Sequence, residues 1–133
     1  MQVRTLRLNV CLLFLGTLAF GQVGNGIITG VVTDQAGAVV AGAAVEVKNV
    51  DTGVVFSGGS STAGNYTIAD LPVGRYTITV TVKGFKTYTH TNLEVAGAQT
   101  LKEDVPLQVG NTTESVTVTA ESTLLKTETA DLA

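Results

Sequence analysis

The sequence predicts an all-β fold, a sandwich of seven short strands, and three observations predict it. Tyr76, Ile78, Val80 and Val82 alternate with Thr77, Thr79, Thr81 and Lys83 without a break, and a period of two gives a strand one apolar and one polar face. Clusters of Gly, Pro, Asp and Asn interrupt such runs at roughly ten-residue spacing, the pattern of short strands joined by turns. After Gly21 no long stretch repeats its apolar residues at the helical spacing.

The chain begins with a stretch outside that pattern. Arg4 and Arg7 are followed by the apolar run Leu8–Phe20, and Ala19-Phe20-Gly21 places small residues at −3 and −1 of a cleavage site between Gly21 and Gln22. This is the layout of a secretory signal peptide over residues 1–21. Thirteen residues of apolar type are short for a hydrocarbon layer of ~30 Å, so no span is expected in the mature chain. A lipid anchor would need a Cys just after the small residues. The single Cys, Cys11, sits inside the apolar run instead.

The first strand is expected over Ile27–Thr33, with Asp34-Gln35-Ala36-Gly37 as its turn. Val39–Asn49 is the second strand region, with Val45 and Val47 inward, Glu46 and Lys48 outward, and Gly42 at a bulge or close approach. Asp51-Thr52-Gly53 turns the chain into a short third strand, Val54–Phe56, and Ser57–Gly64 is a loop of small residues. The fourth strand is Asn65–Leu71. Leu71-Pro72-Val73-Gly74 makes a tight connection in which Gly74 supplies a positive φ, and the fifth strand runs to Lys83, where Gly84 stops it. Phe85–Val95 is the sixth strand and Thr100–Val109 the seventh, with Pro106 implying an edge or a bulge. Beyond Gly110, Glu114–Ala120 has the alternation of one further strand, while Glu121–Ala133 has too few apolar residues to fold alone. The expected organisation is therefore leader 1–21, sandwich 22–109 and linker or tail 110–133.

Composition narrows the chemistry. Removing the leader takes away Arg4 and Arg7, leaving six basic residues against 11 acidic ones, a net charge of −5. An acidic product without a basic patch is a poor nucleic-acid binder. Cys11 leaves as well, so the mature chain holds itself together without disulfides. The single His, His90, has no second His or Cys for a metal site or triad and is expected on the surface of a strand. Asp34, Asp51, Asp70 and Asp104 have no EF-hand spacing and read as turn formers. No catalytic residue, metal ligand or cofactor site is expected.

The residues Gly30-x-Val32-x-Asp34-x-x-Gly37, followed by Val40-x-Gly42-Ala43-Ala44-Val45-x-Val47-x-Asn49, resemble the opening of carboxypeptidase regulatory-like domains. Gly64-x-Tyr66, Leu71-Pro72-x-Gly74-x-Tyr76 and Gly84-Phe85 are similar to the second half of the same pattern. The resemblance covers about Gly26–Val109 and implies a transthyretin-like Greek-key sandwich, related to Cna B-type and carbohydrate-binding (starch-binding-like) folds. Gln35 and Ala41 stand where the family often has Pro, which loosens two turns. The tail, Leu107-Gln108-Val109-Gly110 with Glu114–Ala120 and Leu124-Leu125-x-Thr127-Glu128-x-Ala130, resembles the segment after this domain in Oar-like TonB-dependent outer-membrane receptors. That implies a periplasmic domain ahead of a plug and barrel, with those parts or periplasmic proteins as partners. A secreted relative is the other location.

Two further expectations concern sites. Glu103 shares the parity of Leu101, Val105, Leu107 and Val109 and should face inward, where a lone carboxylate is costly. Contact with water at the end of a sheet would relieve it. Kinship with Cna B-type domains also implies the possibility of a Lys–Asn isopeptide link beside an acid, with Lys48 and Asn49 as the residues to test. Carbohydrate binding would need exposed aromatics; Tyr66 and Tyr76 have core parity, leaving Phe56, Phe85 and Tyr88 as candidate ligand contacts, against which stands the favoured reading that each packs in the core or at an edge. The function expected is a non-enzymatic interaction or spacer domain, with a secreted carbohydrate-binding module or a surface stalk as alternatives.

Overall fold

The computed structural model describes Gly21 and residues 24–119. Residues 1–20 of the expected leader, Gln22, Val23 and the tail beyond Thr119 lie outside the described residues. Nine strands are present among the described residues: β1 (Gly26–Thr33), β2 (Ala44–Asn49), β3 (Val55–Gly59), β4 (Asn65–Leu71), β5 (Gly74–Thr81), β6 (Thr87–Val95), β7 (Thr100–Lys102), β8 (Val105–Pro106) and β9 (Ser115–Thr119). They form two sheets. One has the order β4-β1-β7, with β8 also paired to β1, and the other runs β3-β2-β5-β6-β9. The sandwich is of the Greek-key kind, and its chain crosses repeatedly from sheet to sheet.

The period-two segments behave as their alternation dictates. In β2 the pattern is strict, with Val45 and Val47 buried and Glu46 and Lys48 exposed. Tyr76, Ile78 and Val80 of β5 meet Ile28 and Val32 of β1, and Tyr66, Ile68 and Leu71 of β4, in one core. Burying each such side chain contributes about 1.5–3 kcal/mol. The turn at Asp34 forms as expected: its carboxylate accepts from the amides of Ala36 and Ala38 at 2.9 and 3.0 Å, and Gly37 has φ 80.

Several local expectations are corrected. Seven strands become nine partly because the expected seventh breaks at Glu103-Asp104. The amide of Glu103 still reaches Thr29 O at 2.8 Å, but the Asp104 side chain takes the Val31 amide at 3.0 Å and the Tyr66 hydroxyl takes the Glu103 carbonyl at 2.5 Å. β7 and β8 therefore flank a gap on the same edge, both parallel to β1. Pro106 lies on that edge, where its missing N–H matters least.

β3 also continues past Phe56, because Ser57, Gly58 and Gly59 keep pairing with β2. A Cβ at Gly58 would come within 2.6 Å of Ile68 Cδ1, so the sheets close there only over a small residue. Gly42 is not a site of close approach: a Cβ there meets nothing within 4 Å, and the residue serves a φ of 69. Gly74 does not supply the expected positive φ; Asp70, inside β4 where one residue of β1 faces two of β4, has φ 60. Gly74 instead leaves room for the Asn49 side chain, whose Nδ2 would lie 3.0 Å from a Cβ. β4 and β5 do not pair as a hairpin but lie in different sheets, because the chain crosses the sandwich here; the Tyr76 hydroxyl ties the crossing by donating to Pro72 O at 2.6 Å.

Candidate functional site

The densest group of polar chemistry among the described residues surrounds Glu103. Its position between β7 and β8 points the side chain between the sheets, as parity requires. His90 and Tyr88 come from the facing sheet on β6. The Glu103 carboxylate oxygen Oε1 lies 2.5 Å from His90 Nδ1 and accepts from the Tyr88 hydroxyl at 3.0 Å. On the other side, the Tyr66 hydroxyl of β4 reaches the Glu103 backbone oxygen. Both side chains of the His90–Glu103 pair are only 13% exposed.

Gly30 makes this convergence possible. A Cβ at that position would sit 1.8 Å from the Glu103 carbonyl oxygen and 3.0 Å from the Tyr66 ring. Burial, reinforced by the Glu103 charge, pushes the Tyr66 and Tyr88 hydroxyls well above the ordinary tyrosine range. Both therefore remain donors at neutral pH. Among the described residues His90 Nε2 has no hydrogen-bond partner.

This corrects two expectations. His90 is not a surface residue, and Glu103 is relieved by two side-chain partners in addition to limited water contact. The isopeptide idea also fails geometrically in its Lys48–Asn49 form. Lys48 and Asn49 point to opposite faces of β2, and the Asn49 side-chain oxygen accepts from the amides of Asp51 and Thr52, both at 2.9 Å.

The three candidate aromatics are not brought together. Tyr88 is 5% exposed and belongs to the core. Phe56 on β3 packs edge-on against Tyr76 with ring centroids 6.3 Å apart. Phe85 lies in the β5–β6 connection, bridged to Val109, and is partly buried against the core. Its inward lean costs it a flat exposed face.

Elsewhere, an open groove of about 510 Å³ lies at one end of the sandwich, lined by Val73, Gly74, Arg75, Glu94, Val95, Ala96 and Gln99. Arg75 pairs with Asp51 at 3.7 Å, with both side chains more than half exposed. Val50, Val54 and Val73 are exposed around the same end. No group of three or more His, Cys, Asp or Glu residues that could hold a metal ion occurs among the described residues, and none of their helices is long and apolar enough to cross a membrane.

A family model for the carboxypeptidase regulatory-like domain matches residues 27–108. The chain belongs to the carboxypeptidase regulatory-like family. The match ends just after Leu107, the last fully buried side chain, and so coincides with the core of the sandwich. No curated protein matches this chain significantly.

Solved structures with the same fold include a candidate carbohydrate-binding protein from Bacteroides uniformis, 18% identical over 63% of this chain and 41% of that one, with TM-score 0.52. The major pilin subunit BcpA of Bacillus cereus is 20% identical over 65% of this chain and 31% of that one, with TM-score 0.50. A hydroxyquinol 1,2-dioxygenase from Pseudomonas putida is 9% identical over 69% of this chain and 59% of that one, with TM-score 0.52. This carboxypeptidase regulatory-like chain thus spans less than two thirds of each of these proteins. At such identities the likeness establishes a shared sandwich and nothing about chemistry.

Sequence parity pointed to Glu103 but not to its partners. Nor did it find Ser60, a buried serine whose hydroxyl accepts from the Ala43 amide and donates to Val40 O, each at 2.8 Å. A serine inside a run of small residues carries no signal that distinguishes a buried staple from a loop.

Proposed function

We propose that this chain is a non-catalytic interaction domain of an exported protein, which docks or spaces other parts and performs no reaction. One observation carries the reading: the richest cluster of reactive side chains, Glu103 with His90, Tyr88 and Tyr66, is closed between the sheets and bonded to itself. A general acid or base must reach a substrate proton, and a carboxylate held by two partners in the core is placed to join the sheets. What the domain offers outward is sheet edge and the valine-rimmed end beside the open groove.

The resemblance of the tail to Oar-like TonB-dependent receptors supports the finer reading. In it, residues 1–21 are an export leader and residues 22–109 form a sandwich on the periplasmic face of the outer membrane. Residues 110–133 lead to a plug, and the receptor's own plug and barrel or periplasmic proteins are the partners. The gene sequence beyond Ala133 and cell fractionation test this together. A plug-and-barrel reading frame and recovery in the outer-membrane fraction are expected. A stop codon with recovery in the culture medium would replace the receptor reading by that of a free secreted domain.

The carbohydrate alternative rests on the fold shared with the Bacteroides uniformis protein, and the scattered aromatics weaken it. Affinity electrophoresis in polysaccharide gels should show no retardation. Retardation that Phe85→Ala abolishes would favour sugar binding over docking.

A further inference from the structure

The fully packed apolar side chains all lie between Ile28 and Leu107. β9 adds none: Val116 and Val118 are partly covered, and Ser115 and Thr117 are exposed. Among the described residues β9 is an edge strand paired with β6 alone, in parallel register from Thr87↔Ser115 to Thr91↔Thr119. It also lies beyond the residues matched by the family. Side-chain ties also join β9 and the residues before it to β6 and its start. Thr87 Oγ1 donates to Thr112 O at 2.8 Å, Thr91 Oγ1 reaches Thr119 Oγ1 at 3.4 Å, and Lys86 meets Glu114 at 3.7 Å on the surface.

β6 is built in differently. It is paired along β5, and Tyr88, Leu93 and Val95 are in the core. Lifting β9 would leave that core in place and uncover a row of β6 backbone groups, an edge able to pair with an incoming strand. The geometry defines such a strand. It runs parallel to β6, carries small apolar side chains opposite Tyr88 and His90, and has a polar residue between them. The Ser115–Thr119 sequence meets those requirements, and the same strand of a second copy meets them identically. The preceding Asn111, Thr112 and Thr113 are exposed, so the apolar contact given up on detachment is that of β9 itself, where Val116 is partly covered and Val118 packs against the margin of the core.

We infer that β9 is a detachable strand, and that the β6 edge beneath it is a strand-acceptor site that β9 of a second copy occupies by exchange. This does not depend on which larger protein the domain serves. Hydrogen exchange on the wild-type chain tests detachment. The β9 amides should exchange at least about a hundredfold faster than those of β5, the mark of a separately opening segment.

Acceptance is tested with the full chain carrying Val116→Asp and Val118→Asp and a synthetic peptide of residues 113–119. The variant should stay folded and bind the peptide at least about tenfold more tightly than wild type, whose own strand fills the site. Wild type at high concentration should form a dimer by light scattering that the double variant does not form. Protection of β9 equal to that of β5, or a folded variant that ignores the peptide, would overturn the acceptor site. A strictly monomeric wild type would overturn the exchange.

Discussion

At the residue scale, the contact that matters most is one carboxylate bridging two sheets. Glu103 satisfies the Tyr88 hydroxyl and His90 Nδ1 at once, so its removal orphans both inside the sandwich. Glu103→Ala is expected to lower stability by about 3 kcal/mol in urea unfolding, because unmade buried hydrogen bonds carry the full desolvation penalty. Glu103→Gln, which keeps an acceptor, should lose roughly a third of that.

The tyrosines give the pH dependence. In the unfolded chain they ionise near pH 10, while in the fold burial and the Glu103 charge hold Tyr66 and Tyr88 protonated to higher pH. Below pH 10 both states carry the same protons and stability is whole. As pH rises further, the unfolded state loses protons that the native state keeps, so stability falls. Urea midpoints should therefore decline above about pH 10, and Tyr88→Phe should flatten that decline.

At the element scale, β6 shows how a strand is bent to serve the site. Tyr76 pairs with Leu93 but Ile78 pairs with His90, so one residue of β5 faces two of β6. Asn92 absorbs the extra residue with φ 60, a conformation that Asn tolerates and β-branched residues resist. The bulge lets His90 face Glu103 while Leu93 and Val95 still face the core. Asn92→Val should destabilise by about 1–2 kcal/mol through backbone strain, whereas Asn92→Gly should be near neutral; thermal unfolding of the two variants separates these outcomes. At the other end of the sheet, Ser60 joins the approach to β2 with the exit from β3 through its two hydroxyl bonds.

At the scale of the molecule, the sandwich is closed by its two ends. β1, near the start of the described chain, lies parallel to β7 and β8, near its close. Those contacts form only after most of the chain has been gathered, and loop closure over such a span is slow. Refolding is expected in milliseconds to seconds by stopped-flow fluorescence, not in the microseconds of helical domains. The exposed ion pairs Arg75–Asp51 and Lys102–Asp104 should contribute little, since solvent screens them.

The amino-acid sequence by itself determined the strands and which face of each is apolar. Alternation such as that of Tyr76–Lys83, and turns such as that at Asp34, are local and need no partner to be read. It also turned Glu103 inward, and the family pattern of Gly, Pro and Tyr residues was legible as a set. Only the tertiary structure decided who pairs with whom. A period of two is the same for parallel and antiparallel neighbours, so nothing local placed β9 on β6 or β7 on β1. Nor did anything local move His90 from the surface, or bring Tyr88 with it, into the gap beside Glu103. Those positions follow from the bulge at Asn92, and from the space at Gly30 that lets the Glu103 backbone approach β1.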